Sequence, residues 1–197
     1  KFDIDGYRID TAKHVNPEFW NAFIPKVMAT AKSVGKKDFA IFGEVYDANP
    51  YLLSTFVHEQ SFPSVLDFGF QRHGLAFART DGQIPRLIDL FNQDDLYTTA
   101  TQSAYGIPTF LGNHDMGRVG YFIHSATYGD EDLTLRRSRL ANEVLFFSRG
   151  APVLYYGDEK GMVGTGGDKG ARQDMFPTEV LEWQEEYRIG SKPIGTR

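Results

Sequence analysis

Short apolar segments alternate with amphipathic ones along most of this chain, and this alternation limits the possible folds more than any other feature. The segments 39–43, 107–111 and 152–156 are apolar runs of the length typical of strands that are buried on both faces. Between them, apolar residues recur every three or four positions, as they do on one face of a helix. The alternation predicts an α/β fold with a parallel sheet. It fits an open doubly wound sheet and part of a closed barrel equally well, and both place active sites at the carboxyl ends of the strands.

The helix starts carry clear local signals. Asn16-Pro17 predicts the start of a helix, because Asn is favoured as the capping residue and Pro fits the first turn. The aromatic residues of this helix, Phe19, Trp20 and Phe23, are predicted to lie in the core. Asn49-Pro50 repeats the start signal for a short helix. Further predicted elements are a strand over 65–68 and helices after Asp81-Gly82, over 133–147 and over 179–187.

Composition excludes several classes of protein. The net charge of -5 and the absence of a basic run argue against a nucleic-acid-binding protein. No apolar run approaches the roughly 20 residues that a membrane-spanning helix requires. The chain has no cysteine, which excludes disulfides and thiolate metal sites and leaves the cellular compartment open. Its 197 residues, of which 41% are hydrophobic, suffice for a soluble globular fold with a real core.

Charged side chains follow three of the predicted strands. Arg8 and Asp10 lie on one face of the first strand, Glu44 follows the second, and His114 and Asp115 follow the strand at 107–111. A structural Arg–Asp pair at a strand end would explain the first strand by itself. Because the carboxyl ends of parallel strands meet at one edge, the three carboxylates together favour a catalytic site.

Paired carboxylates are the groups that glycoside chemistry requires. One ionised carboxylate attacks the anomeric carbon, and one protonated carboxyl group donates a proton to the leaving oxygen. Arg8, on the same face of the strand, would favour the ionised form of Asp10. Glu44 follows an apolar strand and is expected to stay protonated. Asp115 could stabilise an oxocarbenium-like transition state.

Four segments resemble conserved segments of a known family. Residues 5–14 (DGYRIDTAKH) are similar to the second conserved segment of the α-amylase family of glycoside hydrolases. Residues 43–46 (GEVY) resemble the third, and residues 110–115 (FLGNHD) resemble the fourth. Residues 150–162 (GAPVLYYGDEKGM) resemble the segment at the last barrel strand. The four occur in the family's order, so the chain is identified as a member.

This resemblance implies a fold and a mechanism. The fold would be part of a TIM (β/α)₈ barrel containing about the last five strands. The implied mechanism is retaining, through a covalent glycosyl-enzyme intermediate, on starch-like α-glucans or maltooligosaccharides. Asp10 would be the nucleophile, Glu44 the acid/base and Asp115 the transition-state stabiliser, and Arg8 would orient Asp10.

The resemblance also implies residues that bind the substrate. His114 would bond the sugar at the cleavage point, and Lys13 and His14 would line the leaving-group side of the cleft. Arg172 and Asp174, in the long loop 157–177, would contact more distant sugars. Of the family's usual calcium ligands, only the backbone carbonyl of His14 has a counterpart in this sequence. A bound calcium ion is therefore expected from the resemblance alone. Tyr155 and Tyr156 are expected to point to opposite faces of the last strand.

This sequence contains no segment that resembles the family's first conserved segment. We therefore expect residues 1–177 to form the second half of a catalytic barrel, and residues 178–197 to form a short helix and a tail. Activity is expected only as part of a longer chain. A transglycosylase of the same family would share these motifs, and a catalytically silent homologue would usually lack one of the three acids, all of which are present. The motifs do not distinguish α-1,4 from α-1,6 specificity or endo from exo action.

Overall fold

A computed structural model describes residues 3–79 and 83–195, and these form an α/β structure as predicted. The described strands are β1 (Gly6–Ile9), β2 (Ala40–Gly43), β3 (Ser64–Val65), β4 (Pro108–Thr109) and β5 (Ala151–Pro152). The described α-helices are α1 (Pro17–Ser33), α2 (Pro50–His58), α3 (Phe68–Arg79), α4 (Ile84–Phe91), α5 (Val119–Ala126), α6 (Glu131–Phe147) and α7 (Leu181–Gln184). The helix-start signal at Asp81-Gly82 and the end of the predicted tail lie outside the described residues.

The chain divides into two compact units. The first unit comprises the described parts of Lys1–Gly69 with Asp89–Thr109 and Arg149–Ala151. The second unit comprises the described parts of Phe70–Ile88, Phe110–Ser148 and Pro152–Arg197. None of the helices within 3–79 and 83–195 combines the length and the hydropathy that a bilayer span requires.

Parallel pairing joins the first three strands in the order β1-β2-β3. Ile9 is level with Gly43, and the ladder continues because the Glu44 N–H donates to the Ile9 carbonyl at 2.8 Å. Gly6 is required at the other end of β1, where a Cβ atom would lie 2.4 Å from the Ala40 carbonyl oxygen. The register places Asp10 and Glu44, the next residue of each strand, side by side at the carboxyl ends.

Three predicted strands are shorter than expected, and the one predicted over 107–111 is reduced to Pro108–Thr109. The strand predicted over 65–68 ends at Val65, and Phe68 already begins α3. The strand predicted over 152–156 ends at Pro152, and the carbonyl of Tyr156 accepts a hydrogen bond from a buried side chain, that of Arg118. Helices α3 and α5 were not predicted from the sequence.

Trp20 confirms the predicted core position, and its two aromatic neighbours do not. Its indole N–H donates to the Ala12 carbonyl at 3.1 Å, and its ring meets that of Phe62 edge to face at 5.0 Å. Phe19 and Phe23 are instead exposed and stack on each other at 5.3 Å. The helical period was right, but the buried stripe of α1 is narrower than the sequence suggested, with Trp20, Ile24 and Ala31 as its buried members.

A buried ion cluster stabilises the first unit beneath β3 and β4. Arg149 pairs with the fully buried Asp67, and its Nε donates to Asp94 at 2.8 Å. Burial would lower the pKa of the Arg149 guanidinium, but the two carboxylates more than offset this and raise it. Burial also raises the pKa of Tyr97, beside the cluster. The cluster therefore keeps its charges paired inside the protein.

Arg149→Met is expected to lower the free energy of unfolding by about 3 kcal/mol, because it leaves the buried Asp67 carboxylate without its cation. Urea denaturation of the protein measures the change. Arg136→Met is the matched control, since Arg136 forms an exposed pair with Asp132 on α6. Such a pair contributes about 0.5 kcal/mol or less. Equal effects of the two substitutions would show that the cluster contributes no more than a surface pair.

Candidate active site

One arginine joins two carboxylates at the carboxyl ends of β1 and β2. The Nη1 atom of Arg8 lies 2.9 Å from Oδ1 of Asp10, which confirms the predicted pair. Its Nη2 atom lies 2.9 Å from Oε1 of Glu44, a contact that the sequence did not predict. The Glu44 side chain is 10% exposed and that of Asp10 is 64% exposed. Two carboxylates in different environments are therefore positioned by one guanidinium group.

Thr11 holds Glu44 from the other side. Its φ of 48° places it in the left-handed region, which costs a non-glycine residue about 1 kcal/mol or more. In this conformation its backbone N–H donates to Oε2 of Glu44 at 3.2 Å. The next N–H, of Ala12, donates to the Glu44 carbonyl at 2.9 Å. Backbone strain directly after Asp10 thus accompanies a fixed orientation of Glu44.

Lys13 and His14 belong to a short 3-10 helix, Ala12–His14, that follows β1. The Lys13 ammonium lies 2.8 Å from Oδ2 of Asp47 and 3.3 Å from the Tyr46 carbonyl. The hydrogen bond from Lys13 holds the pKa of Asp47 below its usual range. His14 is exposed. The structure therefore places both residues at the surface of the first unit, with Lys13 already engaged by an acid.

A tight turn in the second unit presents His114 and Asp115. Asn113 and Gly117 exchange both backbone hydrogen bonds, each at 3.1 Å. The Asn113 side chain accepts from the N–H groups of Asp115 at 3.0 Å and Met116 at 2.8 Å. Gly117 has a φ of 108°, which a residue with a side chain would rarely adopt. The sequence Asn-His-Asp-Met-Gly therefore folds locally into a rigid support for the two polar side chains at its tip.

Asp115 has two cationic or polar neighbours within the second unit. His114 Nε2 lies 3.2 Å from Oδ2, and Arg172 Nη2 lies 3.2 Å from Oδ1. The Nε of Arg172 also donates to the His114 carbonyl at 3.2 Å. Arg172, which was expected to contact more distant sugars, therefore contacts the third predicted acid itself. Asp174 instead accepts a hydrogen bond from the Thr178 hydroxyl at 2.6 Å.

A buried arginine behind the turn was missed by sequence reasoning. Arg118 is fully buried, and its Nε donates to the Gln173 side chain at 2.8 Å. Its Nη1 lies 3.1 Å from Asp158, whose pKa burial raises to about 7. The available signal was a charged residue placed between Gly117 and the apolar start of α5. Arg118, the residue directly after the turn, is therefore bonded to Gln173, the residue directly after Arg172.

Tyr155 and Tyr156 do not point to opposite faces of a strand. Both rings lie against the Arg118 guanidinium, at 4.8 and 4.9 Å from its central carbon. Their hydroxyl groups donate to the carbonyls of Ala171 at 2.8 Å and Gln173 at 3.0 Å. The expectation of opposite faces was wrong because the segment leaves the strand conformation after Pro152 and wraps the cation.

Comparison with known proteins identifies the family of this chain. The family described as alpha amylase, catalytic domain, matches residues 1–188. The chain belongs to the α-amylase family. It is 45% identical to an α-amylase of Streptomyces lividans over 192 residues, which are 96% of this chain and 21% of that protein. It is 30% identical to a cyclomaltodextrinase of Geobacillus thermopakistaniensis, over 100% of this chain and 30% of that protein.

The structure also resembles solved α-amylase structures. The α-amylase of Geobacillus thermoleovorans, solved in complex with acarbose, superposes with a TM-score of 0.73 and 31% identity. The superposition covers 87% of this chain and 36% of that one. This member of the α-amylase family thus spans between a fifth and about a third of the length of these relatives.

The calcium ion implied for α-amylases does not find a ligand set here. Within residues 3–79 and 83–195, no group of three or more His, Cys, Asp or Glu side chains is placed to hold a metal ion. The carbonyl of His14 could supply one oxygen, whereas calcium takes six to eight. The described residues do not fit a calcium site by themselves.

Proposed function

We propose that this chain carries the catalytic residues of a retaining glycosidase that cleaves α-glucosidic bonds of starch-like glucans or maltooligosaccharides. The observation that supports this most strongly is the bridge from Arg8 to both Asp10 and Glu44. It keeps two carboxylates within hydrogen-bond reach of one group, as a double displacement with two neighbouring acids requires. Membership of the α-amylase family supports the α-glucan substrate class.

In this mechanism, Asp10 attacks the anomeric carbon while Glu44 protonates the glycosidic oxygen. The C–O bond to the leaving sugar breaks as the bond to Asp10 forms. Glu44 then removes a proton from water, and the water displaces Asp10 to release the product. The exposure of Asp10 supports its role as the residue that meets the sugar, and the ordered backbone around Glu44 supports proton transfer from a fixed position.

Asp115 is proposed as the stabiliser of positive charge in the transition state. Its contacts with His114 and Arg172 fix the orientation of the carboxylate. His114 would donate a hydrogen bond to the sugar at the cleavage point, Lys13 and His14 would meet the leaving group, and Arg172 would reach sugars further along the chain. Lys13 would have to share its ammonium group between Asp47 and a sugar hydroxyl.

The finer fold is also a proposal. We propose that residues 1–177 contain about the last five strands of a (β/α)₈ barrel with their helices, and that residues 178–197 form a short helix and a tail. The alternation of five described strands with helices supports this proposal. A complete barrel takes about 250 residues. We infer that activity requires the remaining strands from a longer chain, and that any calcium ion would draw most of its ligands from there.

The anomer released first tests the retaining mechanism. Hydrolysis of maltopentaose by the full-length protein is expected to give products whose new reducing ends are initially α, because two displacements restore the starting configuration. Proton NMR in the first minutes, before mutarotation, distinguishes the two anomers. Initial release of the β anomer would exclude a covalent intermediate on Asp10.

A transglycosylase is the second candidate, because the same motifs serve transfer to a sugar. The two differ only in the acceptor for the second displacement. Product analysis with and without added isotopically labelled glucose separates them, since only transfer carries the label into oligosaccharides. All three acids are present, which disfavours a catalytically silent homologue.

A further inference from the structure

A concave surface in the second unit is lined by residues that the proposed chemistry does not use. It encloses about 350 Å³. One wall comes from the glycine-rich loop with Thr165 and Lys169, and the other from α7 and the following residues with Glu182, Trp183 and Tyr187. The volume lies within the range of small-molecule sites.

The polar groups of this cavity are available for a ligand. Among the described residues, no hydrogen bond or ion pair involves the indole N–H of Trp183, the hydroxyl of Tyr187, the Lys169 ammonium or the Glu182 carboxylate. Residues with hydrogen-bond donors, residues with acceptors and two aromatic residues thus line one space. A ligand rich in hydroxyl groups could bond to these donors and acceptors in place of solvent.

The walls are held in place by contacts behind them. The ring of His124 packs on that of Tyr187 at 4.6 Å, and the Glu186 carboxylate accepts both its bonds from the Gln173 amide, at 2.8 and 3.0 Å. The loop folds tightly on itself. A Cβ atom on Gly164 would lie only 2.1 Å from the Gly170 carbonyl oxygen. The cavity is therefore formed before a ligand arrives.

The balance of charge selects the class of ligand. The carboxylates of Glu182 and Glu186 disfavour an anion, and the Lys169 ammonium disfavours a cation. A neutral molecule with many hydroxyl groups and an apolar face fits both the polar groups and the rings. A pyranose ring has these properties, since its C–H groups can pack on Trp183 while its hydroxyl groups meet the charged side chains.

We propose that this cavity, whose lining includes none of the residues assigned to bond cleavage, binds a glucosyl unit of an α-glucan chain. The identity of the sugar rests on the proposed function. Arg172, which contacts Asp115, lies three residues after Lys169 on the same loop. Binding here would increase affinity for long glucans without taking part in the chemistry.

Trp183→Ala in the full-length protein tests the proposal. Electrophoresis in native gels that contain soluble starch gives an apparent Kd, and hydrolysis of an aryl maltotrioside reports the chemistry. Loss of the aromatic wall is expected to raise the apparent Kd about fivefold to tenfold. Turnover of the short substrate is expected to change by less than about twofold, because binding energy remote from its three sugars is not used.

Leu181→Ala is the matched control, because Leu181 lies on the same short helix, is exposed and does not line the cavity. Lys169→Met is a second test at the exposed loop, where folding is not at risk, and is expected to raise the apparent Kd about threefold. Unchanged starch affinity in Trp183→Ala and Lys169→Met, with normal hydrolysis of the aryl maltotrioside, would overturn the glucosyl site and leave the proposed function intact. A wild-type protein that neither hydrolyses nor binds an α-glucan would overturn the proposed function itself.

Discussion

Asp10→Asn in the full-length protein is expected to lower kcat on maltooligosaccharides about 10⁴- to 10⁶-fold, the range seen when an enzyme loses its nucleophile or a residue that acts with it. The amide is nearly isosteric with the carboxylate and can still accept a hydrogen bond from Arg8. It lacks the negative charge that attacks the anomeric carbon. The substitution should therefore remove the chemistry while leaving the fold and the free energy of unfolding almost unchanged.

Asp5→Asn is the matched control for this loss. Asp5 precedes the same strand, and its exposed carboxylate pairs with Lys36. Its substitution is expected to change kcat by less than about twofold, since surface pairs contribute little. Near-normal hydrolysis by Asp10→Asn would show that another group is the nucleophile.

An external nucleophile tests directly whether Asp10 is the attacking group. In Asp10→Gly, the space left by the side chain should admit azide, which attacks the anomeric carbon in place of the carboxylate. The product expected from an α-linked aryl glucoside is the β-glycosyl azide, because only one displacement occurs. A variant that azide fails to accelerate, although it binds substrate normally, would contradict attack from the position of Asp10.

Helices and strands that carry a clear local sequence signal were predicted from the sequence. Helices α1 and α2 both begin at an Asn-Pro pair, and strand β2 is a continuous apolar run. Helices α3 and α5 gave no such signal. Each contains glycine at a position where neighbouring atoms pack too closely for a side chain. A Cβ atom on Gly120 in α5 would lie 2.7 Å from the Met162 carbonyl oxygen. Such a close approach requires glycine and lowers the helix propensity that sequence reasoning depends on.

The site was predictable to the extent that it depends on strand alternation and motif order. Alternation along β1 predicted the Arg8–Asp10 pair. It could not predict that the same guanidinium reaches Glu44, because that contact depends on the register between two strands. The bond between Arg118 and Gln173 joins residues 55 positions apart in the sequence, and neither residue lies in a periodic pattern that points to the other. Contacts of this kind follow only from the folded chain.

Glu44→Gln is expected to separate the two steps of the reaction according to the leaving group. On maltooligosaccharides, kcat/KM should fall about 10²- to 10⁴-fold, the contribution typical of a positioned general acid. On an α-maltosyl fluoride, kcat/KM should stay within about tenfold of the wild type, because fluoride departs with little need for a proton. Without its base, the second step becomes slow and the glycosyl-enzyme accumulates. A pre-steady-state burst of fluoride followed by slow turnover, detected with a fluoride electrode, measures this.

Glu59→Gln is the matched control for Glu44→Gln, because Glu59 is an exposed glutamate directly after α2 in the same unit. It should leave both substrates unaffected within about twofold. Equal losses on oligosaccharide and fluoride in Glu44→Gln would contradict an acid role, since an acid is needed only where the leaving group needs a proton. They would instead indicate that Glu44 serves to hold Arg8. The structure makes this distinction necessary, because the contact between Glu44 and Arg8 at 2.9 Å is as short as the one between Asp10 and Arg8.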